Sequence, residues 1–335
     1  MDRFEQNIME IAKGNIGEPI AVELHLTNLC NHNCIWCINR ENNILSPVSQ
    51  KYEHILKLID ELNNIGCLSV LISGGGDPLM YPKVLDVLKY IKSKDIDTYL
   101  ITNLGMIDNH DITKMLKYTD VLRISLDSYN ITSHNRVHNP RNKEIDNFNL
   151  ICNNIRKIVH MNDSNTSIGI SYVVDETSIS GVDNFIELCK DLKVNKADLK
   201  IDNTLDKEKI NCLFFKLNEK YDKLINYQND DFQIVIDEPA IFHQYIEGNW
   251  VGLSYKCLIT ADGNVYPCCH CLTPENSYGN ILDGFNNVWK SEKHKNIKKN
   301  YEDNNLCCSR CSEGSDAKSI VRIIDSINKF GITFD

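Results

Sequence analysis

The stretch Leu26-Thr-Asn-Leu-Cys-Asn-His-Asn-Cys-Ile-Trp-Cys37 places Cys30, Cys34 and Cys37 in a C-x3-C-x2-C spacing, directly behind an apolar run that reads as a strand, Ile20 to Leu26. A four-iron cluster normally takes four thiolates, so a tight trio with no fourth thiol close by leaves one iron open to another ligand. A structural zinc ion is the competing occupant, with His32 supplying the last ligand. Zinc knuckles and ribbons usually pair two C-x2-C units, whereas here the first gap is three residues and the run follows a strand.

Composition narrows the setting. A length of 335 residues suggests about two domains, and 42% hydrophobic residues supply a sizeable core. The 14 cysteines are too sparse for a small disulfide scaffold. The N-terminus is charged from the start, with no apolar segment of a secretory signal behind it. Clustered cysteines in such a chain point to a reducing cytoplasm and to metal binding rather than disulfides. No uninterrupted apolar run reaches the ~20 residues needed to cross a bilayer, so a membrane is not an expected partner. The formal charge of −10, from 36 Lys and Arg against 46 Asp and Glu, lacks the basic footprint of a nucleic-acid binder.

From about residue 20 to residue 203, β-rich runs alternate with helical patterns, the mark of β-α units around a parallel sheet. The expected strands are Ile20 to Leu26, Cys67 to Ser73, Thr98 to Thr102, Val121 to Leu126, Ser167 to Val174 and Ala197 to Ile201. Segments Ser49 to Asn63, Pro82 to Ser93 and Ile145 to Val159 carry apolar residues at helical spacing. By itself this pattern suits an open doubly wound sheet as well as a barrel.

The cysteine spacing, with Trp36 just before the last thiol, resembles the signature of the radical S-adenosylmethionine (radical SAM) enzymes. That resemblance implies an α/β fold built on a partial (β/α)6 TIM-type barrel whose opening admits substrate. It also implies a [4Fe–4S] cluster whose free iron holds the amino and carboxylate groups of SAM, and whose electron splits the sulfonium to a 5′-deoxyadenosyl radical. The domains then read as an N-terminal lead-in over 1–19, the barrel over 20–230, and a cysteine-rich extension with a C-terminal helix over 231–335.

Active sites of β-α barrels lie at the C-terminal strand ends, and the remaining motifs fall there. Ser73-Gly-Gly-Gly-Asp-Pro78 follows the second strand, its glycines permitting close backbone approach to a ligand and unusual dihedrals. It resembles the family's GGE motif, which assigns Gly75, Gly76 and Asp77 to the methionyl amine of SAM; Asp shortens the reach of the usual Glu by a methylene. Trp36 and Asn103 join the cofactor-binding set. Arg123, Ser125 and Asp127 alternate on one face of the fourth strand, and three polar groups there are costly unless they line a polar cavity. The resemblance gives Ser125 a contact to SAM and Arg136 the role of carboxylate partner. Asp127 and Lys200 are the candidate catalytic groups, with His25 a third possible proton acceptor.

After residue 230 the alternation is expected to stop. Cys257-x5-Gly263-x4-Cys268 frames a β-hairpin with Asp262-Gly263 or Gly263-Asn264 at its turn; a helix is expected from Phe285 to Lys298, followed by Cys307-Cys308-Ser-Arg-Cys311. Four such cysteines also suit zinc. With the upstream trio, the layout resembles the SPASM/twitch extension. That likeness implies one auxiliary [4Fe–4S] cluster on Cys257, Cys268, Cys308 and Cys311, with Cys269, Cys271 or Cys307 as possible substitutes, because the middle cysteine series of full SPASM domains is missing.

The resemblance implies an oxidoreductase-type enzyme that abstracts a hydrogen atom from its substrate, served by an external electron donor such as flavodoxin or ferredoxin. Twitch-bearing relatives act on sugar-like alcohols, and SPASM-bearing relatives mature ribosomal peptides. With only about 19 residues ahead of the first strand, no leader-binding module is expected, which favours a small-molecule substrate over a peptide. A non-catalytic zinc protein is the alternative from another class.

Overall fold

The computed structural model describes residues 3–40, 47–107, 111–163, 166–202, 204–237 and 251–304, together with Ile324 and Ile327. Helix α1 (Arg3–Ala12) precedes strand β1 (Ala21–His25), and regular alternation follows: α2 (Tyr52–Ile65), β2 (Ser69–Ser73), α3 (Val84–Lys92), β3 (Asp97–Thr102), α4 (Asp111–Lys117) and β4 (Val121–Ser125). Two helices, α5 (Ile131–Val137) and α6 (Asn147–His160), lead to β5 (Ser167–Val174). Then come α7 (Val182–Asp191), β6 (Lys196–Ile201), α8 (Lys207–Leu224) and β7 (Gln233–Ile236). The C-terminal part contributes β8 (Lys256–Ile259), β9 (Asn264–Tyr266), β10 (Gly279–Asn280), α9 (Phe285–Trp289) and α10 (Glu292–Asn304).

All strands join one sheet in the order β10-β9-β8-β1-β2-β3-β4-β5-β6-β7. Every pairing from β8 through β7 is parallel, and only β9 runs the other way, pairing antiparallel with both β8 and β10. Among the described residues β7 and β10 do not pair, so the barrel stays open.

Strand alternation sorts the residues into two environments. Val22, Leu24, Val70, Ile72, Leu100, Leu122 and Ile124 vanish into the layer between sheet and helices. Their sequence neighbours Glu23, Ser73, Tyr99 and Arg123 face the barrel interior, and Tyr99 retains 38% of its surface. Period-two side-chain direction thus makes a dry outer seam and a polar inner cleft from the same strands.

The six expected strands all form, but the expected break at residue 230 falls inside the sheet. Strand β7 adds a seventh parallel member, and β8 pairs with β1 from Ala21↔Lys256 to Leu24↔Ile259. Four residues flanked by Asn and Asp are too short for β7 to show a clear period. The hairpin turn is as expected, with Gly263 at φ 86°. The helix expected over Phe285 to Lys298 is two helices, because the Ser291 hydroxyl accepts from the His294 N–H at 3.1 Å and starts α10 anew.

Trp289, fully buried, donates its indole N–H to the Gly17 carbonyl at 2.8 Å and so fastens the C-terminal helices to the N-terminal lead-in. Trp289→Phe leaves that carbonyl without its donor. The expected cost is about 1–3 kcal/mol, read as a lower urea midpoint.

Candidate active site

The C-terminal ends of β1 to β4 surround one cavity of about 380 Å³ that receives Cys30, Cys34 and Cys37 with Trp36. The glycine run makes this convergence possible. Gly76 N–H donates to the Thr27 carbonyl at 2.9 Å and Asp77 N–H to the Leu29 carbonyl at 2.8 Å. A Cβ on Gly76 would stand 2.0 Å from the Leu29 oxygen, and one on Gly75 2.3 Å from Asn28 Oδ1. None of Gly74, Gly75 or Gly76 has positive φ. The run is therefore required for close approach to the cysteine loop, not for unusual dihedrals.

Asp77 is fully enclosed. Its carboxylate accepts from Leu79 N–H at 2.9 Å, Thr102 Oγ1 at 2.9 Å and Asn103 N–H at 2.7 Å. Burial raises its pKa against these donors. Asn103 in turn gives its amide to Asn31 Oδ1 at 2.8 Å. Both residues line the cavity, yet their hydrogen bonds lace the ends of β2 and β3 to the cysteine loop.

Burial disfavours the thiolate form of all three cysteines. Burial, then Asp77, pushes Cys30 up to about 12. Burial, then Cys30, drives Cys34 well up, and burial raises Cys37. Thiolates so placed need metal charge beside them. Among the described residues, ligand atoms of three His, Cys or acidic side chains converge within 4.8 Å only at His32, Cys34 and His138. The three cysteine sulfurs do not all lie within that distance of one another, as binding one zinc ion at about 2.3 Å would demand.

Behind Cys34 stand three neutral imidazoles. His134 and His138 stack at 4.6 Å between centroids, and His32 lies 5.5 and 5.2 Å from them. Burial lowers His32 to about 3, His134 to about 4 and His138 well below the usual value. His138 Nε2 lies 2.7 Å from the Leu126 carbonyl, which can only accept, so that nitrogen carries the proton and Nδ1 faces Cys34 Sγ at 3.2 Å.

Ser125 and Asp127 line the cavity as expected from β4. Asp127 has a left-handed backbone at φ 45°. Its Oδ1 accepts from Val173 N–H at 3.0 Å, and its Oδ2 stands 3.4 Å from His138 Nε2. Burial pushes it up to about 7, against the pull of the Val173 amide and of Arg123 and Lys200. Glu23, His25 and Ser73 form another polar group on the wall. Burial would raise Glu23, yet hydrogen bonds from His25 and Ser73 hold it below the usual carboxylate range.

Three expected placements differ. Arg136 projects outward from α5 to Thr177 Oγ1 and is exposed; the inward residue of that turn is His138, two positions on. Lys200 is absent from the lining and pairs with Asp237 at 2.8 Å. Cys257 lies in register with Val22 on the helix-facing side of β8, buried, its thiol raised by burial and then by Cys67. Cys268 lies instead with Cys271, sulfur to sulfur 3.6 Å. Cys307, Cys308 and Cys311 lie outside the described residues. Cys269 and His270, by contrast, reach the wall of the cavity that holds the first trio.

Residues 24–189 match the Radical SAM superfamily, and residues 251–312 match the SPASM iron-sulfur cluster-binding domain. The chain belongs to the radical SAM superfamily and carries a C-terminal SPASM-type domain. Its cofactors are accordingly SAM, a SAM-binding [4Fe–4S] cluster and auxiliary iron–sulfur binding. It is 29% identical to the UPF0026 protein of Helicobacter pylori over 140 residues, 38% of this chain and 44% of that protein; the match thus spans under half of that relative. Identity to the GTP 3′,8-cyclase of Lactiplantibacillus plantarum is 26% over 270 residues, 74% of this chain and 79% of that one. Streptococcus suis SuiB bound to S-adenosylmethionine shares the fold at TM-score 0.71 and 15% identity, over 94% of this chain and 77% of that chain.

Two outcomes test the geometry. Gly76→Ala forces the Leu29 carbonyl away, so the variant should melt at lower temperature and retain less iron after anaerobic reconstitution, read by calorimetry and iron assay. The folded chain holds the Asp127 proton up to about 7, the unfolded chain only to about 3.8. Folded protein therefore binds more protons in that window, and this group's contribution makes stability fall as pH rises through it. Asp127→Asn, which tolerates positive φ, should remove that fall when urea midpoints are compared across pH.

Proposed function

We propose that this protein is an oxidoreductase-type radical SAM enzyme that takes a hydrogen atom from a small polar, sugar-like substrate held inside the barrel. Asp127 carries the reading: a buried carboxyl on the cavity wall, titrating near neutrality where a proton acceptor is most effective. When bound, the cluster and SAM supply one-electron cleavage of the sulfonium to a 5′-deoxyadenosyl radical. Cys30, Cys34 and Cys37 would hold the cluster. Gly75, Gly76, Asn103 and Ser125 would shape the cosubstrate's bed, with Asp77 bracing it from behind and Trp36 beside it.

Loss of a hydrogen atom, then of a proton and an electron, is a two-electron oxidation of substrate. Asp127 would accept the proton, and the SPASM-type domain would take the electron, with Cys268 and Cys271 beside Cys308 and Cys311 as ligand candidates. An external donor such as flavodoxin or ferredoxin would supply the first electron. The polar inner cleft supports a hydrophilic substrate. A second reading, maturation of a ribosomally made peptide, draws on the solvent-open interior and on the fold shared with SuiB, which has been seen with its precursor peptide SuiA.

With SAM and dithionite, reconstituted protein should release 5′-deoxyadenosine, and Cys34→Ala should release none. Asp127→Asn should still release it while forming product about 10²-fold or more slowly. Chromatography of nucleoside and product checks both, and release by Cys34→Ala would overturn the proposal.

A further inference from the structure

We infer that Arg123 is the receptor for an oxyanion of the substrate, a carboxylate or a phosphate, on the inner wall of the barrel below the cosubstrate. This rests on the reading that substrate enters the cavity lined by Cys30, Cys34 and Cys37.

Arg123 lines that cavity from β4. Its in-register neighbours are Ile101 on β3 and Gly169 on β5, and neither offers a side-chain acceptor. Its Nε is buried without a hydrogen-bond partner, and no ion pair engages the guanidinium among the described residues. The acids around the interior are committed elsewhere. Asp198 pairs with Lys196 at 2.7 Å, and Asp237 with Lys200 at 2.8 Å. Glu23 takes Ser73 and His25, while Asp127 takes the Val173 amide, faces His138 and feels Arg123 only from beyond ion-pair distance.

A guanidinium has five donors in a planar fork that matches two oxygens of a carboxylate or phosphate. Burying its Nε without an acceptor is costly, and an incoming oxyanion would offset that cost. Lys200, whose charge burial and then Arg123 disfavour, stands near enough to add to the positive field. Position separates this site from the cosubstrate's. Arg123 lies one two-residue strand repeat inward of Ser125, about 7 Å deeper, whereas the residues assigned to SAM sit at strand ends.

The test uses full-length, anaerobically reconstituted protein saturated with S-adenosylhomocysteine, titrated calorimetrically with pyrophosphate and separately with glutarate. At least one should bind wild type, pyrophosphate indicating a phosphate and glutarate a carboxylate. Arg123→Gln should weaken that binding at least tenfold, and Arg123→Lys, which keeps charge without the fork, by an intermediate factor. Both variants should bind SAM within twofold of wild type, which also reports an intact fold. The inference is overturned if neither anion binds wild type, or if both variants bind it unchanged. It is equally overturned if S-adenosylhomocysteine displaces the anion or SAM binding falls with the substitution, since the guanidinium then serves the cosubstrate. Deoxyadenosine release by wild type, measured in parallel, judges the radical SAM chemistry separately.

Discussion

The architecture turns on the contact between two strand-end loops, where backbone at Gly76 and Asp77 hydrogen-bonds the carbonyls of Thr27 and Leu29. No side chain fits between them, because a single added carbon at Gly76 would stand 2.0 Å from oxygen. From this contact the rest is stacked. Asp77, facing back from it, gathers Thr102 and Asn103 from the end of β3, and Asn103 returns to Asn31 between the first two cysteines. Three neighbouring strands thus hold one loop in place through buried hydrogen bonds, each costly to leave unmade.

Electrostatics on the two sides of the loop differ in kind. Toward the helices lies a stack of uncharged imidazoles, kept neutral by burial. Toward the barrel axis lie Glu23, Arg123 and Asp127, groups that carry or exchange charge in contact with the cavity. The loop therefore separates a low-dielectric backing from a polar chamber, and its sulfurs occupy the border.

Much of this was legible in the sequence because it is local. The six parallel strands are apolar runs bounded by turn residues, and the trio, the glycine run and Asp127 follow them at the strand ends. What escaped depends on direction or on distant pairing. Arg136 and His138 are two residues apart on one turn, and only the packing of α5 decides which points inward. Asp77 reads as a free carboxylate until Thr102 and Asn103 close over it. Cys257 reads as a ligand from spacing, while its register beside Val22 comes from a pairing of β8 with β1 that spans most of the chain. The membership of β7 and β8 in the main sheet is a long-range pairing that no short window of residues reveals. Arg123 was visible as an inward residue, while its lack of an acceptor needed the neighbouring strands.

Strand β8 lies directly beside β1 in a parallel ladder, and β9, which leads to Cys268 and Cys271, folds back on β8, so the strand ahead of the first cysteine loop and the hairpin ahead of the second belong to one sheet with strands about 4.8 Å apart. Such a ladder has no hinge. Relative motion of the loops would require breaking main-chain bonds in the middle of a ten-stranded sheet. The hairpin that carries Cys268 and Cys271 is therefore registered to the strand that carries the first cysteine loop by main-chain hydrogen bonds, and repacking of side chains alone cannot slide one strand past the other.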